Sequence, residues 1–342
     1  MLDQEIAFKV LQPQDFAFIR QTATQKIVPA DTVLIEEGKV AEFLYIVLDG
    51  TLQVSISQGN SNQLVEIARL SQGEIVGEMS FIDNRPPSAT VKTVNSCQLL
   101  VIPQQKLQLK VERDPDFAAR LYHEFAIKLS NRLRNLSSLL AQSKILPGQS
   151  LRKVLYLFAV LNDNDIDWMT TYGRKEKLVK GTTLIQQGEP VEAVYFLVKG
   201  AFAVVISLTV DGQITEREIA RRASGEIVGE MSFVEIGVAS ATIRCAENSF
   251  VLAIPQDLLR EKLQHDRGFA TRFYRSLSIV LVDRLRDDLV RRGFGTQAYN
   301  QEQFLDNVEY EDEIPLDVLE LTLLAGTRFK WMINRLQGNS RG

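Results

Sequence analysis

Cysteine and histidine are scarce in this chain. Only Cys97, Cys245, His123 and His265 occur among 342 residues, and the opening MLDQEIAFKV has no signal-peptide pattern. We therefore expect no disulfide scaffold, two buried thiols and a reducing cytoplasm as the location. Because neither histidine has acidic or cysteine companions in the sequence, we expect no metal site.

Long apolar runs are missing as well. The most apolar stretch, VYFLVKGAFAVVISLTV at 194–210, is too short to span a membrane and contains Lys199 and a central glycine. We interpret it as two strands around a turn. No transmembrane segment is expected.

Positive charge is missing where a DNA-binding protein would need it. The formal net charge is −4, and no Lys or Arg occurs between residues 293 and 327. Proteins that bind nucleic acids gain much of their affinity from cations that neutralise phosphates. We therefore expect no nucleic-acid partner. A kinase-inhibitor segment is not expected either, since seven residues precede the first recognisable pattern of the chain.

What the sequence does contain is one nine-residue string written twice. GEIVGEMSF stands at 73–81 and again at 225–233, 152 residues later. The helix-like DPDFAARLYHEFAIKLSNRLR at 114–134 has a counterpart, DRGFATRFYRSLSIVLVDRLR, at the same offset. The chain is therefore a tandem duplication of one domain.

Upstream of the string the offset between the copies is smaller. FKVLQPQDFAFI at 8–19 aligns with FAVLNDNDIDWM at 158–169, which is an offset of 150. Two residues were gained between Gly200 and Gly225. Such length changes belong in exposed loops, and we expect this one in a hairpin.

The pattern of each copy predicts strands followed by a helix. A short helix precedes strand-like segments separated by glycines, which is typical of an antiparallel barrel or jelly roll. After VIPQ and AIPQ, the apolar residues recur every four positions, which predicts a long amphipathic helix. These residues are Phe117, Leu121, Phe125, Leu129 and Leu133, and Phe269, Phe273, Leu277, Leu281 and Leu285.

The order of these features resembles the cyclic nucleotide-binding domain family. Strand pairs end in a glycine turn, GE opens a one-turn helix, and SAT follows with a β-branched residue, over about residues 8–140 and 158–290. The family includes the regulatory subunit of cyclic-AMP-dependent protein kinase, which has the domain in tandem, and the catabolite activator protein. The resemblance implies a mainly β fold of two tandem β jelly rolls, each flanked by helices.

The resemblance also divides the chain. We predict a first domain at 1–140, a linker helix at 141–157, a second domain at 158–292, an acidic connector at 293–314 and a C-terminal helix at 315–338. In this family the repeated string opens the phosphate-binding cassette. We use first cassette for residues 73–90 and second cassette for residues 225–242.

The resemblance implies cyclic AMP or another cyclic nucleotide as the ligand, and no other cofactor. Gly77 would open the first cassette helix, Glu78 would accept the ribose 2′-hydroxyl, and Met79 and Ser80 would offer backbone amides to the phosphate. Free N–H groups at a helix start favour an anion. The implied ligand-binding residues are Gly77, Glu78, Met79, Ser80, Arg85, Ser88, Ala89 and Thr90 in the first domain, and Gly229, Glu230, Met231, Ser232 and Thr242 in the second.

One departure from the family pattern weakens this implication. The arginine that clamps the phosphate in the family is replaced by Pro87 and Ala239. Loss of such a charged clamp typically costs about 2–5 kcal/mol of binding free energy. Arg85 lies near the first position and could partly replace it, whereas the second cassette has Glu235 and no nearby cation in sequence. We therefore expect the second cassette to be silent.

A second interpretation needs no ligand. The string could be kept only because its glycine turn and helix start close the barrel. In that case Glu230 would cap backbone amides, and Ser240 and Thr242 would be turn and strand residues.

The two long helices also leave alternatives open. In the family the helix after the barrel moves when ligand binds and often forms a dimer seam. Here the apolar stripe continues to Leu136 and Leu140, beyond what one barrel needs. It serves either such a seam or packing on the neighbouring domain.

The tail combines an acidic segment with a well-signalled helix. NQEQFLDNVEYEDEIP is typical of a flexible connector, and the helix after it has Pro315 at its start and Gly338 after its end. This helix carries Leu319, Leu323, Phe329, Trp331, Met332, Ile333 and Leu336. It folds back on its own domain or docks a partner protein or a second protomer, and the acidic connector disfavours a membrane surface.

No paired carboxylates, nucleophile with a base, or metal cluster can be found, so we do not expect an enzyme. We predict a non-catalytic sensor or adaptor, gated by a cyclic nucleotide in the first domain and signalling to a protein partner by helix movement. The rival prediction is a ligand-silent scaffold that keeps the fold for protein contacts.

Overall fold

The computed structural model describes residues 8–57, 64–142, 155–210, 213–291 and 316–338. The predicted acidic connector at 293–314 and most of the predicted linker helix at 141–157 lie outside these residues. Helices and strands follow one another in the same order in both repeats.

The first repeat contains eight strands, three short helices and one long helix. They are α1 (Pro13–Thr22), β1 (Thr24–Val28), β2 (Val33–Ile35), β3 (Phe43–Asp49), β4 (Leu52–Ser57), β5 (Leu64–Leu70), β6 (Ile75–Val76), α2 (Glu78–Asp83), β7 (Thr90–Thr93), β8 (Cys97–Pro103), α3 (Gln104–Arg113) and α4 (Pro115–Gln142).

The second repeat has the same order with one additional short helix at its start, and a last helix follows it. The elements are α5 (Tyr156–Val160), α6 (Asp163–Tyr172), β9 (Arg174–Leu178), β10 (Thr183–Ile185), β11 (Ala193–Lys199), β12 (Ala201–Val210), β13 (Gln213–Ala223), β14 (Ile227–Val228), α7 (Glu230–Glu235), β15 (Thr242–Cys245), β16 (Ser249–Pro255), α8 (Gln256–His265), α9 (Arg267–Arg291) and α10 (Leu316–Leu336).

The chain forms two compact units. The first unit holds Met1–Lys128 and a stretch that begins at Asp288, and the second holds Leu129–Asp287 and a stretch that begins at Glu313. Helix α4 therefore starts in the first unit, and its residues from Leu129 onward belong to the second. Each unit is described by itself below.

Each unit contains two four-stranded antiparallel sheets. The strand orders are β1-β8-β3-β6 and β2-β7-β4-β5 in the first unit, and β9-β16-β11-β14 and β10-β15-β12-β13 in the second. Even the irregularities repeat, because a register shift between Val47 and Asp49 recurs between Leu197 and Lys199. The predicted fold of two tandem jelly rolls is confirmed.

The apolar residues of the two sheets meet inside each barrel. Val47, Leu52 and Leu99 are fully buried in the first core, and Phe202 and Val251 are their neighbours in kind in the second. Both cysteines are free and buried, as expected. Burial raises the pKa of the Cys97 and Cys245 thiols, which keeps them protonated and unreactive.

The extra residues of the second repeat belong to its longest hairpin. Strands β12 and β13 pair from Ala201↔Ala223 to Val210↔Gln213. The apolar run at 194–210 thus forms β11 and β12 around Gly200, as predicted. Residues 211 and 212 at the hairpin tip lie outside the described residues. Among the described helices, none is long and apolar enough to cross a membrane.

An ion pair ties the first helix of each repeat to its long helix. Arg120 Nε lies 2.7 Å from Asp15 Oδ2, and Arg272 Nε lies 2.6 Å from Asp165 Oδ2. Both aspartates are buried. The hydrogen bond to Asp15 raises the pKa of Arg120. All ten predicted apolar positions of α4 and α9 are buried.

Glu124 of α4 provides a contact that the second repeat lacks. Its Oε2 accepts hydrogen bonds from the backbone N–H groups of Lys9 at 2.8 Å and Val10 at 3.1 Å. Burial raises the pKa of this carboxyl. The equivalent position in α9 is Ser276, which bonds within its own helix to the carbonyl of Phe273.

The tail helix α10 folds back on α5 and α6. Its Phe329 ring lies 5.0 Å from that of Phe158, and Arg328 Nε donates to Asp163 Oδ1 at 2.8 Å. Met332 is 0% exposed, whereas Leu323 on the other side is 62% exposed. Of the alternatives for this helix, packing on its own unit is what the structure shows.

We predict that Met332→Ala destabilises the second unit by about 2–5 kcal/mol, because it leaves a cavity under α10. Urea unfolding followed by tryptophan fluorescence measures this, since Trp168 and Trp331 are the chain's two tryptophans and both belong to the second unit. The control Leu323→Ala should change stability by less than about 0.5 kcal/mol. Equal effects of the two changes would contradict the packing of α10.

Glu37 has a buried oxygen without a hydrogen bond. Its Oε2 accepts from Ser57 N at 2.9 Å and Ser57 Oγ at 2.7 Å, while Oε1 is buried without a partner. At the equivalent place in the second repeat, Gln187 Oε1 accepts from Ser207 N at 2.7 Å and its Nε2 approaches Ser207 O at 3.5 Å. An amide thus fits this site better than a carboxylate.

Glu37→Gln is therefore expected to stabilise the first unit by about 1 kcal/mol, because it converts an unsatisfied acceptor into a donor. Gln187→Glu should destabilise the second unit by a similar amount. Far-UV circular dichroism during thermal unfolding tests the first change and tryptophan fluorescence the second. Destabilisation by Glu37→Gln would show that the carboxylate is required.

Candidate functional site

The first letters of the repeated string bind a neighbouring strand. Gly73 N donates to Val47 O at 2.8 Å, and Val47 N donates to Glu74 O at 3.0 Å. In the second unit Gly225 and Glu226 make the same two bonds with Leu197. The next two residues form β6 and β14, whose side chains are buried. This half of the string builds the barrel.

The central glycine of the string sets the start of the cassette helix. Gly77 has φ +90° and Gly229 has φ +84°, a left-handed region that side chains disfavour. A Cβ at Gly77 would lie 2.7 Å from Phe43 O, and one at Gly229 would lie 2.8 Å from Ala193 O. Both the backbone angle and the space require glycine here, whether or not a ligand binds.

The last letter of the string joins the cassette helix to the long helix. The Phe81 ring of α2 lies 6.0 Å from that of Phe125 in α4, nearly edge-on. Phe233 and Phe273 repeat this contact at 6.1 Å in the second unit. The cassette helix and the long helix of each repeat are thus in direct contact.

The first cassette holds its predicted residues as follows. Glu78 is 1% exposed at the start of α2, and Gly77, Met79, Ser80, Ser88, Ala89 and Thr90 are half-buried. Thr90 Oγ1 accepts from Glu37 N at 3.1 Å, and Thr242 in the second unit accepts from Gln187 N in the same way. The threonines therefore fix the turn after the second strand of each barrel.

The position of the missing clamp is buried in both repeats. Pro87 is buried and its carbonyl accepts from Gly38 N at 2.9 Å. Ala239 is also buried, and its carbonyl accepts from Gly188 N at 2.9 Å. This position therefore lies inside the protein, and an uncharged residue occupies it in each cassette.

Arg85 binds a carboxylate of its own cassette. Its backbone N–H donates to Asp83 Oδ1 at 3.1 Å, and its Nε lies 4.0 Å from Asp83 Oδ2. The Arg85 side chain is 25% exposed. The cation that the sequence placed near an incoming anion is thus already close to a carboxylate.

A lysine of the long helix also meets the first cassette. Lys128 Nζ donates to Gly73 O at 2.9 Å and lies 3.6 Å from Glu74 Oε1. This contact was not predicted from the sequence, because Val280 stands at the equivalent position of the other repeat.

The second cassette is bound by arginines from the helices. Glu230 forms a buried ion pair with Arg284 Nη1 of α9, and Arg284 Nη2 donates to Ile227 O at 2.6 Å. The interpretation that Glu230 caps backbone amides is therefore wrong. A guanidinium with several donors satisfies the carboxylate and a carbonyl at once.

Glu235 is likewise paired. Ser130 Oγ donates to its Oε1, and Arg134 Nη2 donates to its Oε2 at 2.7 Å. The expectation of a cassette without a cation, facing a phosphate with an unpaired carboxylate, is thus wrong in its reason. Met231 and Ser232 follow on α7, and Met231 Sδ lies 4.0 Å from Ser240 Oγ, which places the SAT segment beside the helix.

A signal for these arginines was present in the sequence. LSNRLR at 129–134 and LVDRLR at 281–286 keep two arginines at matching positions near the ends of both long helices. Within the part of the chain that the structure describes, no group of three or more His, Cys, Asp or Glu side chains could hold a metal ion.

Comparison with known families agrees with this geometry. The model of the cyclic nucleotide-binding domain matches the chain twice, at residues 25–114 and 175–266. The chain is similar to the cAMP-activated global transcriptional regulator CRP of Salmonella typhimurium, at 29% identity over 115 residues, which are 32% of this chain and 54% of that protein. It thus spans about half the length of the curated relatives it matches.

A longer stretch is similar to the cGMP-dependent protein kinase egl-4 of Caenorhabditis elegans, at 23% identity over 237 residues, or 66% of this chain and 26% of that kinase. Among solved structures, the regulatory domain of Toxoplasma gondii PKA with cAMP aligns at 19% identity and a TM-score of 0.29, covering 75% of this chain and 91% of that one. The regulatory subunit of a cAMP-independent protein kinase A from Trypanosoma cruzi bound to guanosine aligns at 16% identity and 0.28, covering 78% and 86%.

Arg284→Met is expected to destabilise the second unit by about 3–5 kcal/mol, because it leaves the Glu230 carboxylate buried and unpaired. The double change Glu230→Gln with Arg284→Met removes both charges and should cost clearly less. Arg174→Met, at an exposed pair with Glu176, is the control and should cost less than about 1 kcal/mol. Tryptophan fluorescence during urea unfolding compares the three, and a double variant no more stable than Arg284→Met would refute the pairing.

Proposed function

Because this chain belongs to the cyclic nucleotide-binding domain family, we propose that it is a non-catalytic regulatory or adaptor protein that senses a cyclic nucleotide through its first domain. The observation that carries this proposal is the geometry of the first cassette. Gly77 opens α2 in the left-handed conformation, Glu78 is buried at the helix start, and Thr90 is held by a backbone N–H. The first turn of a helix directs N–H groups toward an anion.

The ligand of the proposal is cyclic AMP or a related cyclic nucleotide. In this assignment Glu78 accepts the ribose 2′-hydroxyl, the amides of Met79 and Ser80 face the phosphate, and Ser88 and Ala89 line the opposite side. Arg85 contributes the nearest cation, at the cost of its contact with Asp83.

We propose that the second domain is silent toward nucleotides. Arg284 already binds the Glu230 carboxylate, which is the group that would accept the ribose hydroxyl. Ala239 supplies no charge for a phosphate. A ligand there would have to displace a buried ion pair, and that displacement is costly.

The output of the proposal is a protein contact in the cytoplasm, without nucleic acid. Leu323, Leu324 and Trp331 form an exposed apolar side of α10 and support a partner protein or a second copy of the chain. Movement of α4, which contacts α2 through Phe81 and Phe125, would carry the signal.

A ligand-silent scaffold is the second candidate function. Its support is the burial of Pro87 and Ala239 at the clamp positions and the contact of Arg85 with Asp83. In this alternative the repeated string is retained for the barrel contacts of its glycines and phenylalanines.

Pro87→Arg is expected to strengthen binding of cyclic nucleotides to the first domain, because it restores a buried guanidinium beside the helix start. At a ligand concentration about 100 times the dissociation constant, binding stabilises the domain by about 2.7 kcal/mol, which a thermal melt detects. Melts of the full chain with and without 1 mM cyclic AMP or cyclic GMP (about 100-fold above a dissociation constant of about 10 μM) measure the effect. Arg85→Ala should weaken any binding by the parent.

Two matched variants complete the experiment. Pro87→Ala removes the proline without adding charge, so it separates loosening of the turn from the clamp. Ala239→Arg places the same charge in the second cassette and should give no ligand-dependent shift. If Pro87→Arg melts at the same temperature with and without either nucleotide, the scaffold function is favoured.

A further inference from the structure

The end of the second cassette helix is strained. Ile236, which follows α7, has φ +55° and ψ 61°, and its side chain is 78% exposed. A β-branched residue in this left-handed region is unfavourable, and such strain persists only where the surroundings enforce it. At the same place in the first cassette stands Asn84 with φ +55°, a residue type that tolerates this conformation. The strain is therefore particular to the second cassette.

Two contacts enforce the strained conformation. Gly237 N donates to Ser232 O at 3.1 Å, which closes the chain over the helix end. Directly before Ile236, the Glu235 carboxylate is bound by Ser130 and Arg134 of α4. The Glu235 side chain is 11% exposed, so this charged contact is shielded from water. In the first cassette the equivalent Asp83 instead approaches Arg85 of its own loop.

The helix that holds Glu235 also contacts the first cassette. Phe125 of α4 packs on Phe81, and Lys128 Nζ donates to Gly73 O. Lys128 and Arg134 lie six residues apart in one continuous helix, which is about 9 Å along its axis. A shift of α4 at Lys128 is therefore passed on to Ser130 and Arg134, because a short helical segment moves as a rigid body.

We propose that Glu235 and Ile236 form a strained switch, held by Ser130 and Arg134, through which the position of α4 at the first cassette sets the conformation of α7. When α4 moves, Glu235 is released, and Ile236 relaxes out of the left-handed region and frees the end of α7. The second cassette then responds to a helix of its own chain. This inference goes beyond nucleotide sensing and needs no ligand at either cassette.

Hydrogen–deuterium exchange of the full chain without nucleotide tests the switch. Glu235→Gln should raise exchange of the backbone amides at 230–237 about tenfold, since it weakens a charge-assisted bond that holds them. Phe81→Leu, which loosens the contact of α2 with α4, should raise the same exchange in the parent and should not add to it in Glu235→Gln. Arg69→Met, at an exposed pair with Glu66, is the control and should leave it unchanged.

Ile236→Asn separates strain from simple loss of a contact. It places the residue of the first cassette at this position and should return exchange in Glu235→Gln toward the parent level. Lys128→Met provides the same test as Phe81→Leu if that change unfolds the first unit. Unchanged exchange at 230–237 in Glu235→Gln, or in both α4-contact variants, would overturn the proposal. Because no nucleotide is added, this result is independent of the sensing function.

Discussion

The left-handed glycine at the start of each cassette helix is the constraint on which the rest of the structure depends. Gly77 and Gly229 pass so close to a neighbouring carbonyl that a Cβ has no room. Their backbone angle turns the chain from a buried strand into a six-residue helix, and that helix places a phenylalanine on the long helix. Strand, turn and helix contact need all nine residues, which explains why both copies keep the string.

On this shared scaffold the two cassettes differ in where their cations come from. In the first, Arg85 and its acceptor Asp83 lie within one loop, and Lys128 reaches in from α4. In the second, both cations, Arg134 and Arg284, come from long helices. A charge that sits on a loop responds mainly to a ligand, whereas a charge that sits on a helix responds to the movement of that helix. The duplicated fold therefore supports two different uses of one site.

The sequence predicted the parts of the fold that depend on periodicity. The four-residue recurrence from Phe117 to Leu133 identified α4, and glycine-separated apolar runs identified the strands. It could not predict the partners of Glu230 and Glu235, because Arg284 and Arg134 are 54 and 101 residues away and periodicity gives only the face of a helix. The packing of α10 was open for the same reason, since an apolar stripe does not identify what covers it.

The duplicated ion pair between the first helix and the long helix has a consequence for self-recognition. Asp15 with Arg120 and Asp165 with Arg272 use the same residue types in the same geometry, so these pairs cannot distinguish one repeat from the other. An exchange of helices between repeats, or between two chains as in domain swapping, would satisfy them equally well. Glu124 can make the distinction, because it binds the amides ahead of α1 and Ser276 offers no carboxylate in its place. A single buried carboxylate thus gives the amino terminus an address within its own repeat.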